Sequence, residues 1–213
     1  MTTAVAEIGG SLNATSFLES AKSFEATAPK AKSGGVPIMR LNKSDGVWVY
    51  GADSVEVEED SQWIIPPDSL LQGYIAWHAG KVEGEKMAVF GAEPVSPNAL
   101  PPVNAKNGWE EQVGFGLVCI TGEDTDTKAV FKTNTKGGIE AWNNVFDAIK
   151  ARAVAGKTFT PIVKLTHSSY QHSEYGKIRK PVFDVVGWHG DEAAGAIESD
   201  DEAPKRRKPR SEA

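Results

Sequence analysis

Gln112-Val113-Gly114-Phe115-Gly116-Leu117-Val118-Cys119-Ile120 places Val113, Phe115, Leu117 and Cys119 on one face and two glycines on the other, as a strand that bends requires. A turn built from Gly122-Glu123-Asp124 follows, and Thr127-Lys128-Ala129-Val130-Phe131-Lys132-Thr133 alternates again, so it reads as the returning strand. Ile139, Trp142, Val145, Phe146 and Ile149 then recur at helical spacing before Gly156. That spacing predicts a helix of about four turns with one apolar face on the sheet. Pro161-Ile162-Val163-Lys164-Leu165-Thr166-His167 and the run from Ile178 to Trp188 form a last strand pair around a polar tip. One helix thus separates two strand pairs.

Working outward, Pro37-Ile38-Met39-Arg40-Leu41 and Val47-Trp48-Val49-Tyr50-Gly51 flank a Lys43-Ser44-Asp45-Gly46 turn and read as a hairpin. Gln72 to Lys81 and Lys86 to Phe90 give two more strand signals, either of which can supply the strand preceding Gln112. The stretch 91–108, with Pro94, Pro97, Pro101 and Pro102, reads as an irregular insertion: either a loop folded over a binding face or a spacer. Residues 1–35 lack a core-forming pattern and read as a flexible arm, with a short helix around Ser16 to Phe24; residues 191–213 read as a disordered tail. There is no internal repeat. The expected architecture is mainly β with one packed helix: a five-stranded, oligonucleotide-binding (OB-fold-like) barrel in the order β-β-β-α-β-β, with an added N-terminal hairpin, as a single domain over 36–190.

Composition bounds the function. A chain of 213 residues with 40% hydrophobic content buries one good core. Its single cysteine, Cys119, excludes an internal disulfide and suits a reducing compartment. No apolar run approaches the roughly 20 residues that span a bilayer, and Met1 to Ala6 lacks the pattern of a signal peptide. The expected location is the cytoplasm, that of the host if a phage encodes the chain, with no membrane partner. The net charge of -6 is unevenly spread: six acidic residues lie between Asp191 and Glu202, and five basic ones between Lys205 and Arg210. Residues 1–190 carry 18 basic against 22 acidic side chains, which argues against a protein that coats duplex DNA but leaves room for a local basic groove.

The common signatures of nucleotide binding, zinc binding and hydrolysis are missing, so no enzyme and no cofactor is expected. His167 and His172 flank the last turn without a carboxylate or thiol at ligand spacing, and read as loop histidines rather than a metal site. Lys136-Gly137-Gly138 before the helix can offer N–H groups to a phosphate, but an ordinary strand-to-helix turn is the favoured reading.

The segment His167-Ser168-Ser169-Tyr170-Gln171-His172-Ser173-Glu174-Tyr175-Gly176-Lys177-Ile178-Arg179-Lys180-Pro181 carries the strongest functional signal. Aromatic rings beside cations on a protruding hairpin are what unpaired bases stack on while phosphates are neutralised. Parity puts Ile178, Val182, Val186 and Trp188 on one face and Lys177, Arg179 and Phe183 on the other. The candidate binding residues are therefore Tyr170, His172, Tyr175, Lys177, Arg179, Lys180 and Phe183, with Lys128, Lys132 and Lys164 as a track of cations. In the competing reading the tyrosines pack the hairpin against the insertion and the cations keep it soluble.

Through the pair around Tyr170-Gln171-His172-Ser173-Glu174-Tyr175-Gly176-Lys177-Ile178, closing with Lys180-Pro181-Val182-Phe183-Asp184-Val185-Val186-Gly187-Trp188, and through its acidic tail, about half of the chain resembles phage-type single-stranded-DNA-binding proteins with an OB-fold. The resemblance implies sequence-nonspecific coating of unpaired DNA, or RNA, in replication and recombination, with replication or recombination proteins recruited through the tail 191–213. The basic run Lys205-Arg206-Arg207-Lys208-Pro209-Arg210 departs from that family, whose tails end acidic or aromatic. The alternative from another class is a non-enzymatic protein-interaction or virion-associated structural module built on the same barrel.

Overall fold

A computed structural model describes residues 35–174 and 176–191. The expected arm and its short helix, the tail beyond Asp191, Tyr175, and the side chain of His172 lie outside the described residues. Ten strands form one mixed sheet: β1 (Ile38–Leu41), β2 (Trp48–Tyr50), β3 (Val55–Glu56), β4 (Gln62–Ile64), β5 (Leu71–His78), β6 (Lys81–Val89), β7 (Glu110–Cys119), β8 (Lys128–Thr133), β9 (Thr160–His172) and β10 (Gly176–His189). Among the described residues one α-helix, α1 (Lys136–Val154), joins β8 to β9.

β7 is the hub, and its alternation shows why. Phe115, Leu117 and Cys119 are almost fully buried, and Phe115 pairs with Phe131 of the antiparallel β8. Along its other edge the first half of β7 pairs with β5 and its last two residues pair with β4. β4 lies between β7 and β9, and β9 continues into β10 through a long antiparallel hairpin. The chain order is therefore β10-β9-β4-β7-β8-β1-β2-β3, with β5 and β6 branching from β7.

The sheet is not a closed barrel, which corrects the sequence-based expectation. β1 pairs in parallel with β8, so the strand that would close the circle is displaced and β10 ends the sheet at the far side. The N-terminal hairpin fills the gap with side chains. Trp48 donates from Nε1 to the Thr166 carbonyl at 2.8 Å and lies 5.3 Å from the Phe183 ring, inside a cluster completed by Phe115 and Phe131. Each such ring pair is worth about 0.5–1.5 kcal/mol beyond its buried area.

α1 begins where Thr135 accepts a hydrogen bond from the Gly138 amide, and it ends before Gly156, whose φ of 65° lets the backbone turn back. Trp142, Val145 and Ile149 are buried as their spacing predicts. Trp142 donates to the Gly114 carbonyl at 2.7 Å, bonding the helix to the backbone of β7, and the buried face of the helix shares the core with Phe115, Leu117 and Cys119. The insertion 91–108 is fastened to the β5–β6 hairpin: the Asn104 amide donates to Glu83, and Trp109 donates to the Pro101 carbonyl.

Candidate nucleic-acid interface

Strand register fixes which side chains of the β9–β10 hairpin share a face, because directly paired residues project to the same side. Tyr170 pairs with Ile178 and Ser168 with Lys180, whereas Gln171 pairs with Lys177 and Ser169 with Arg179. Tyr170 and Lys180 therefore lie on one face and Lys177 and Arg179 on the other. The expected single surface of ring and cations is split. The parity continues through Phe183 to Val185 and breaks there, because a bulge between Val185 and Gly187 shifts the register before Trp188.

Tyr170 is 49% exposed, the posture a stacking platform needs. Lys177 and Lys128 are exposed and make no ion pair among the described residues. The other candidates are engaged. Arg179 donates from Nη1 to the Ser44 carbonyl and, at 3.3 Å, to that of Lys43, clasping the turn between β1 and β2. Gly46 in that turn has φ 84°, and a Cβ there would come within 2.5 Å of the His167 ring and 2.8 Å of Arg179 Cδ. Arg179 and His167 thus hold the N-terminal hairpin rather than a ligand. Phe183 is 6% exposed and sits in the aromatic cluster, so it offers no face to a base; its side of β10 is the core side.

Three of the lysines face carboxylates: Lys132 lies 2.8 Å from Glu85, Lys164 2.7 Å from Asp60, and Lys180 2.7 Å from Glu140. The Lys164 and Lys180 pairs are partly solvent-facing and contribute about 0–1 kcal/mol, so a phosphate can replace the carboxylate there at small cost, whereas the Lys132 side chain is only 10% exposed and stays committed to Glu85. Lys128 and Lys132 do share a strand face, as their spacing predicts.

Two features escaped the sequence reading. Trp77, 42% exposed, stands opposite Val82 beside the β5–β6 turn, where a bulge between Ala76 and Trp77 turns its ring outward. The sequence signal was a tryptophan next to a tight Ala79-Gly80 turn. Between α1 and the β9–β10 hairpin lies a cavity of about 110 Å³, lined by Glu140, Asn144, Ser168, Lys180 and Phe183 among others. Ser168 Oγ is buried there without a hydrogen-bond partner among the described residues, a situation that costs about 1–3 kcal/mol.

Burial pushes the Cys119 thiol up to about 11, so it stays protonated at neutral pH and acts as a core atom. Burial, reinforced by the Asp124 carboxylate that accepts its hydrogen bond at 2.8 Å, pushes Tyr50 up to about 12. Among the described residues no cluster of histidine, cysteine or carboxylates is arranged to hold a metal, and no helix is long and apolar enough to cross a membrane. No family model, curated protein or solved structure matches the chain.

Proposed function

We propose that the chain binds single-stranded DNA without enzymatic activity, in the manner of phage proteins that coat unpaired DNA in replication and recombination. The observation that carries the reading is the long β9–β10 hairpin with Tyr170 exposed on one face and the uncompensated Lys177 on the other. Supporting it, the described residues are mainly β, with a single α-helix leading into the hairpin. Two further lysines, Lys164 and Lys180, bear exposed, replaceable counterions.

A protein-interaction or virion-associated module is the second reading, favoured by the exposed Trp77–Val82 pair on a hairpin braced by the insertion. Mobility-shift titration with an oligo-dT strand and a duplex of equal length separates the two. Single-strand binding tighter than duplex binding, weakening as salt rises, is the expected result, because stacking needs bases not already stacked on one another. Equal or stronger duplex binding, or no binding to either, overturns the proposal.

A further inference from the structure

We infer that the cavity between α1 and the β9–β10 hairpin is a subsite for one pyrimidine base, so that coating carries a base preference. The inference rests on the single-strand reading and adds a ligand to it. The cavity opens on the hairpin face that also bears Tyr170, since Ser168 and Lys180, which line it, pair in register two residues from Tyr170 and Ile178. A base that leaves the Tyr170 stack therefore has this cavity on its own side of the hairpin.

The lining matches the two surfaces of a base. Pro181 and Val182 supply an apolar wall for a ring face. Asn144 supplies an amide that both donates and accepts, and Ser168 a hydroxyl with no partner among the described residues; either can meet a polar base edge. At the mouth Lys180 and Glu140 form an ion pair 2.7 Å long. Its position is fixed by a close approach of helix and strand: a Cβ on Gly137 would lie 2.9 Å from Lys180 Cβ. Size selects among bases. The volume of about 110 Å³ is well below that of ordinary small-molecule pockets, roughly 300–1,000 Å³, and suits one ring better than two.

The test compares oligo-dT and oligo-dA strands of about 12 nucleotides by fluorescence anisotropy, on the full chain and on an Asn144→Ala/Ser168→Ala double variant. Both substitutions spare the fold, because Asn144 is exposed and the Ser168 hydroxyl has no bond to lose. The wild type is expected to favour dT by roughly fivefold or more, the discrimination a good contact to a base edge gives. In the double variant that ratio should fall to about twofold or less, with dA affinity unchanged. Because the same oligonucleotides are used throughout, self-stacking of the purine strand cancels in the change of ratio. If dT is bound but the ratio is the same in both proteins, the cavity is no base site and single-strand binding stands without it. If neither strand binds the wild type, the single-strand reading falls and the subsite falls with it.

Discussion

Tyr170 and Phe183 lie on the two strands of one hairpin, yet burial assigns them opposite work: one ring is half exposed and the other is enclosed by Trp48, Phe115 and Phe131. Tyr170→Ala is expected to cost about 1–3 kcal/mol of affinity for single-stranded DNA while leaving the melting temperature in place. Phe183→Ala is expected to cost about 3–5 kcal/mol of stability, through a cavity in the aromatic cluster. Anisotropy titration and thermal denaturation of both variants read the difference. Unchanged affinity in Tyr170→Ala would make its ring a surface residue only. Sequence alone offered these two rings as equals, because aromatic character is visible in a string of letters and burial is not. The same blindness covers the cations: nothing near Lys164 in the chain announces Asp60, and nothing near Arg179 announces the carbonyls of Lys43 and Ser44.

Elements were legible where their pattern is local. The strands β7 and β8, the helix α1 and the β9–β10 pair follow from period-two and period-3.6 spacing; β7, β8 and β10 appear close to their expected bounds, whereas β9 runs on to His172, five residues past the expected His167 and into the polar tip. β4 was not legible: three residues, Gln62 to Ile64, show no period, although they hold the place between β7 and β9. Its strand character comes from pairing on both edges. The bulge at Val185 was likewise hidden, since one extra residue inverts parity without any mark in composition. The N-terminal hairpin was visible as a hairpin, but its role in the open seam was not, because that role depends on Arg179 and His167 more than a hundred residues away. Gly46→Ala tests that role. A side chain there meets both the positive φ and the His167 ring, so the variant should lose at least about 1 kcal/mol of stability, and more if the hairpin lifts from β10. Denaturant unfolding of the variant against wild type checks it; equal midpoints would show that the turn is not held against the hairpin.

At the scale of the whole molecule the charge pattern decides how a strand would approach. The chain carries -6 overall, with a tail whose two halves oppose each other: six acids from Asp191 to Glu202, then five cations from Lys205 to Arg210. The root of the tail is fixed. Arg152 stacks 4.7 Å over the Trp188 ring and pairs with Asp191, which also accepts from the Thr158 hydroxyl; that hydroxyl bond foremost, with the Arg152 guanidinium, holds the Asp191 carboxyl below the usual range. Truncation should therefore stop at Asp191, keeping this clasp. Ending the chain at Pro204 removes the five cations and is expected to weaken DNA binding, chiefly at low salt, since exposed charges act within a Debye length of about 10 Å at 0.1 M salt. Ending it at Asp191 also removes five of the six acids and is expected to restore part of that loss. A salt series on the three proteins reads the effect as the slope of log affinity against log salt, steepest in the full chain because it retains the most phosphate-neutralising cations. Equal slopes and equal affinities would mean that the tail does not act on the DNA site, and its opposed charges would then belong to a protein partner.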